Sequence, residues 1–197
     1  MSPITHMLVG WVGLERFQLA RRDKAIVVLA GLTPDLDGLG IVVDFATRTF
    51  GLAETDYYQA FHRMYGHGLT AAVLIAALAA ACGVRRWRVA CCAFVSVHLH
   101  FLCDLIGSRG TTAEDIWGIY YLTPFSKAYP ISWSGQWPLV GWQNMLVTAV
   151  LLAITLRRAS NLGYSPLGMI SESGDKVFVA TLRKWRAQLW PFLHGKN

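Results

Sequence analysis

Five of the six histidines, His6, His62, His67, His98 and His100, fall in the first 104 residues, in apolar surroundings and close to acids or to one another. They stand in Thr5-His6, His62-Arg63-x-x-x-His67 and His98-x-His100-x-x-x-Asp104, with the turn Pro34-Asp35-Leu36-Asp37-Gly38 after the first. Imidazole and carboxylate are the ligands that zinc and other borderline divalent ions take. Ionisable side chains are costly in apolar segments and are usually kept there for a function. Together they point to a metal site at a membrane.

Each group has a plainer reading beside the chemical one. His100 and Asp104, four apart, share a helix face, so both could reach one ion or simply satisfy each other. His98 would point about 200° away from His100 on the same helix, which suits a supporting role. His62 and His67 diverge by about 140° on a continuous helix, but a break at Gly66 would let them converge. Arg63 cannot ligate a metal; it could clamp a phosphate or a developing oxyanion, or be an ordinary interfacial arginine. Asp35 and Asp37 could bind a metal or activate water, or act as a helix cap and a solvated acid. His6 draws its weight from its apolar setting. Asp23, Asp44, Asp56, Asp115 and His194 show no such company.

The elements that would carry these groups are apolar. The chain has 197 residues, 54% hydrophobic and 15% charged, with mean hydropathy +0.37; soluble domains carry about 25% charge. The net charge of +6 comes as short clusters at the ends of apolar runs, Arg21-Arg22-Lys24, Arg85-Arg86-Arg88 and Arg157-Arg158. That pattern is the positive-inside signature and disfavours a nucleic-acid partner. Gly68–Val84, Val89–Ile106 and Leu139–Leu156 predict three full spans, with shorter helices in Ile4–Ala20 and Ala25–Leu32. Val177–Leu193 predicts a basic amphipathic surface helix. The expected fold is an all-α integral membrane bundle, with residues 1–160 embedded and 161–197 a basic cytoplasmic tail. The four cysteines show no C-x-x-C pair and read as buried thiols.

With Arg85–Arg88 in the cytoplasm, a helical rise of about 1.5 Å per residue places His67 about 27 Å, His100 about 18 Å and Asp104 about 24 Å from the basic belt. His6 comes at about 22 Å and Asp35 at about 16 Å by the same count. All fall in the outer half of the membrane, which favours one convergent site toward the extracytoplasmic side. The loop from Gly107 to Pro138, rich in Trp, Tyr, Gly and Ser, would lie over it as a lid.

Thr5-His6-x-Leu8, Pro34-Asp35-x-Asp37, His62-Arg63-x-x-x-His67, then His100-x-x-x-Asp104 and an aromatic loop with Thr123-Pro124-Phe125 follow one another over roughly residues 1–126. This ordered set resembles the YdjM-like membrane-bound metal-dependent hydrolases of bacteria. The resemblance implies His6, Asp35, His67, His100 and Asp104 as ligands, with Asp37 and His62 in further roles. It also implies a multi-pass protein of the bacterial inner membrane, and kinship with all-helical zinc-dependent phospholipases C and single-strand nucleases. The family's Thr-His-Ser at the second histidine is here Gly66-His67-Gly68, and only His194 follows Asp104. One or two ions, zinc by ligand type, are therefore expected rather than three. The expected activity is metal-activated water attacking an ester, a phosphoester first, on a small-molecule or lipid substrate. Asp37, His62 and Arg63 would be its catalytic residues. The alternative is a non-catalytic membrane protein with a structural metal site or an ion-handling cluster; the third stretch, poor in polar residues, speaks against an ion pathway.

Overall fold

The computed structural model describes residues 1–62 and 64–193. Helix α1 spans Pro3–Gly13; Ser2 caps it by accepting from Thr5 N, and Pro3 takes the first turn, where a missing N–H costs nothing. Then follow α2 (Arg21–Ala30), a 3-10 segment (Thr33–Leu39), α3 (Gly40–Thr49), α4 (Tyr57–Phe61), α5 (Leu69–Cys82), α6 (Arg86–Gly107), α7 (Trp142–Leu162) and α8 (Glu172–Leu193). Among the described residues there is no strand, only isolated backbone bridges such as Ile119 with Ile131. The fold is all-α.

Two helices, α6 and α7, are long and apolar enough to cross a membrane, and α2 with Thr33–Thr49 forms a pair bent by 45° that passes the same test together. The first expected span is shorter than its apolar run suggests. Helix α5 has 14 residues, about 21 Å against a hydrocarbon core of about 30 Å. Leu139–Leu156 also shifts: Gly141 precedes the first turn of α7, which runs on to Leu162. Arg158 thus lies inside the helix and reaches Glu15 Oε2 (2.5 Å) and the Val12 carbonyl (3.0 Å) on α1 and the turn after it.

Helix α6 is central, packing on α1, α2 and α5. Small residues allow the close approach: Ala72, Ala76 and Ala79 of α5 share one core with Val89, Ala93 and Val97 of α6, together with Val27 and Phe101. Asp23, fully buried, accepts from Val84 N (2.8 Å) and Arg85 N (3.1 Å), fixing the α5–α6 turn to α2. Lys24 is not part of an exposed basic belt; it is buried with Nζ 3.8 Å over the Trp11 ring. Cys92 and Cys103 are buried as expected, whereas Cys82 and Cys91 are exposed, on a short helix and an outer face that an apolar surrounding would cover.

The segment between α6 and α7 is held at both ends. Asn144 Nδ2 donates to the Gly107 (2.7 Å) and Leu139 (2.8 Å) carbonyls, and Gln136 makes two 2.8 Å bonds with the backbone of Trp117. Helix α8 packs on α7 and the short turn Pro166–Met169. Asp175, buried, accepts from Ser165 N (2.9 Å) and Ser165 Oγ (2.6 Å).

Candidate metal centre

His100 and Asp104 lie toward the end of α6 opposite Arg85–Arg88, both buried and on one face. His100 Nε2 is 3.0 Å from Asp104 Oδ2. On the other edge of the ring, Nδ1 donates to the Gly31 carbonyl at 2.9 Å. Gly31 allows a close approach there: a Cβ would lie 2.3 Å from Ser96 Oγ and 3.3 Å from Ser96 Cβ, so Ser96 would have to turn away and the end of α2 give slightly.

His67 enters from the loop before α5 and is fully buried. Its Nδ1 faces Asp37 Oδ2 at 3.0 Å, and its Nε2 lies 3.1 Å from His100 Nε2 and 3.4 Å from Asp104 Oδ2. A carbonyl or carboxylate only accepts, so the outer nitrogen of each ring must carry the proton. In the neutral rings both inner Nε2 atoms then present lone pairs to each other. That arrangement requires a positive charge between them, a proton or a cation. Burial works against a charged His67, but the Asp104 and Asp37 carboxylates outweigh it and raise the imidazole to about 9.

His6 of α1 stacks on His100 with ring centroids 3.8 Å apart. Its Nε2 is 3.2 Å from Asp104 Oδ1 but out of line for a hydrogen bond, and neither ring nitrogen has a hydrogen-bond partner. Asp35, from the 3-10 segment, brings Oδ1 to 3.6 Å from His100 Nε2, while its Oδ2 is buried without a partner. His6, Asp35, His100 and Asp104 each offer one ligand atom within 4.8 Å of the others. The Met1 ammonium also contacts Asp104, and Ser108 Oγ donates to Asp104 Oδ1 at 2.7 Å.

These residues fit a metal ion. Zinc with ligands at about 2.0–2.1 Å has tetrahedral edges of about 3.3 Å, and the 3.0, 3.1, 3.4 and 3.6 Å separations above bracket that value. The donor set has the second feature of such a centre as well. The His6 nitrogens are buried without partners, and the far nitrogens of His67 and His100 are tied to acceptors, as those of metal-binding histidines are.

Four of the five residues expected as ligands, His6, Asp35, His100 and Asp104, thus share one group, and His67 adjoins it through His100 and Asp104 without belonging to the four. Asp37 and His62 stand beside them: His62 Nδ1 is 2.8 Å from Asp37 Oδ1. Arg63 lies outside the described residues. His98 turns away as its spacing requires, bonding the Phe94 carbonyl (2.8 Å) and Tyr121 OH (2.9 Å). Of Asp23 and Asp44, set aside on the sequence, Asp23 ties the α5–α6 turn and Asp44 the start of α4, through Tyr57 N and Tyr58 N (both 2.8 Å). A cleft of about 420 Å³ opens on the cluster, lined by Asp35, Asp104, His62 and Ser108 and walled by Trp117, Leu39 and Val140. Trp117 stands 4.9 Å from His62 and 5.8 Å from His67, ring to ring. Sequence reasoning missed Gly31, Ser108 and Trp117; the aromatic-rich loop was the one hint of the last.

Residues 1–183 match the family model described as YdjM inner membrane protein. The chain belongs to that family. It is accordingly a membrane protein, and α6 and α7 are apolar helices of the length this needs. No curated protein and no solved structure matches it.

Proposed function

We propose that this YdjM family member is a metal-dependent hydrolase of the bacterial inner membrane. His6, Asp35, His67, His100 and Asp104 would hold one or two divalent ions, zinc by the nitrogen-and-carboxylate chemistry of the set. The observation that carries the reading is that the cluster is not sealed: Asp35 and Asp104 line an open cleft. Structural metal sites are closed, whereas catalytic ones keep a position for water or substrate.

A divalent ion bound here supplies Lewis acidity and a water made acidic enough to attack near neutral pH. The protein's own residues do the rest. Asp35, a quarter exposed, sits between cluster and cleft and can accept a proton from the attacking water. His62 faces the same cleft with Nδ1–H fixed on Asp37, so its free Nε2 would first take up a proton from the cleft and then hand it to the leaving oxygen. Trp117, buried, forms the dry wall of the cleft. Arg63, next to His62 in sequence, would steady the anion. A phosphoester suits this combination. An amphiphilic ester suits it too, because Leu39 and Val140 at the rim are 57% and 87% exposed and so offer an apolar ledge.

The test is hydrolysis by the zinc-loaded protein in detergent of a soluble phosphodiester, bis(4-nitrophenyl) phosphate, and of a long-chain phospholipid in mixed micelles. Turnover of either, abolished by Asp104→Ala and by chelation, supports the assignment. A protein with zinc bound that turns over neither phosphoesters nor carboxylic esters would count against it and favour a structural or ion-handling site.

A further inference from the structure

Asp37 is placed differently from the acids that line the cleft. Its side chain is 6% exposed, and both oxygens are spent inside the protein. Oδ1 accepts from His62 Nδ1 at 2.8 Å, while Oδ2 accepts from His67 Nδ1 and from Gly66 N, each at 3.0 Å. We propose that Asp37 is a positioning residue, a fork that fixes two histidines at once: His67 with Nε2 toward the metal, and His62 with Nε2 toward the cleft. The proposal rests on the metal-hydrolase reading of the site and gives Asp37 a role other than base or ligand.

A carboxylate has no proton to give at neutral pH, so the ring nitrogens facing it must be N–H, and the neutral rings must carry their lone pairs on the far side. That is the tautomer in which a histidine binds a metal through Nε2, and in which it can accept and pass a proton through Nε2. The flanking chain leaves the fork little freedom to shift. A Cβ on Gly38 would come 3.0 Å from His62 Nδ1, and one on Gly66 would come 2.3 Å from the Pro34 carbonyl. The turn Pro34-Asp35-Leu36-Asp37-Gly38 and the segment 64–68 are thus pressed together, at Gly66 through a contact only glycine allows. One turn then supplies the cleft-facing acid, Asp35, and two residues on the carboxylate that orients the metal's histidine and the proton carrier. Loss of Asp37 should disturb both; loss of His62 should disturb one.

Two measurements on the full-length protein in detergent decide this. Zinc affinity is read by chelator competition for wild type, Asp37→Asn, Asp37→Glu and His62→Gln. Imidazole tautomers are read by 15N NMR of histidine-labelled, zinc-loaded wild type and Asp37→Asn. The fork requires zinc binding about 10–100-fold weaker in Asp37→Asn, restored in part by Asp37→Glu and unchanged in His62→Gln. It also requires His62 and His67 as Nδ1–H rings in wild type, with His62 becoming a tautomer mixture in Asp37→Asn. Wild-type zinc affinity in Asp37→Asn, or an Nε2–H ring at His62 or His67 in the wild type, would overturn it. If Asp37→Asn does not fold, the wild-type spectrum alone decides between these outcomes. A wild type that binds no zinc would remove the hydrolase reading and the fork with it, whereas a zinc-binding wild type with an indifferent Asp37→Asn removes the fork alone.

Discussion

The space between His67 and His100 calls for one positive charge, a proton or, on the proposed function, a divalent cation. His67, raised to about 9 by Asp104 and Asp37 against the pull of burial, holds the proton in the metal-free protein. An unfolded histidine titrates near 6.5, so this charge stabilises the metal-free fold fully below about pH 6.5 and is lost as pH rises through the folded value. The metal-free protein is therefore expected to lose thermal stability between about pH 6.5 and about pH 9, while the zinc-loaded protein, whose His67 is a neutral ligand, loses less. Zinc binding at pH 7 should release a proton from this ring, read as a dependence of calorimetric binding heat on the buffer's ionisation enthalpy. Equal melting of the metal-free protein across that range would exclude a charged His67. Most of this was legible in the sequence as composition and order: histidines and acids in apolar runs. The division of labour was not. Nothing in Pro34-Asp35-Leu36-Asp37 says that the first acid faces a cleft and the second two imidazoles; that depends on His62 and His67 coming to lie against the turn.

At the scale of elements, the site depends on how closely α2 and α6 approach. Gly31 lets the α2 carbonyl end reach His100, and Asp23 ties the other end of α2 to the α5–α6 turn. Gly31→Ala puts a methyl 2.3 Å from Ser96 Oγ and is expected to cost about 1–3 kcal/mol as overpacking. It should also weaken zinc binding by loosening the His100 ring; thermal unfolding and chelator competition check the two effects. Asp23→Ala strips two partly buried N–H groups of their acceptor and should cost about 1 kcal/mol by the same unfolding measurement, with zinc affinity retained in the folded fraction because the change lies at the far end of α6. Helix periodicity and hydropathy placed α2 and α6 to within about four residues at each end, but carried α1 past its end at Gly13 and stopped α7 short of Leu162. They overstated α5, whose apolar run is long enough only if Gly68, Gly83 and Val84 are counted, and Gly83 instead ends the helix. They could not locate the close α2–α6 contact, because one glycine opposite one serine has no periodicity.

For the whole molecule, the basic clusters and the position of the site make a single statement about sidedness. Arg85–Arg88 lies at one end of α6, while His100, Asp104 and the cleft lie at the other. If the basic end is cytoplasmic, as the positive-inside rule requires, an alkaline phosphatase fusion after Lys127 should be active and one after Leu193 inactive. The reverse pattern would place the cleft on the cytoplasmic side. Helix α8 joins this frame through Arg183 Nε on the Ser160 carbonyl (2.8 Å) and Asp175 on Ser165. Metal binding underlies these expectations. It is tested most directly by elemental analysis of the purified wild type beside the His100→Ala/Asp104→Ala double variant, both after reconstitution with zinc and removal of free ion. One or two zinc ions per chain in the wild type and none in the variant are expected. A wild type that retains no zinc, manganese or iron would leave a proton, and not a metal, between His67 and His100.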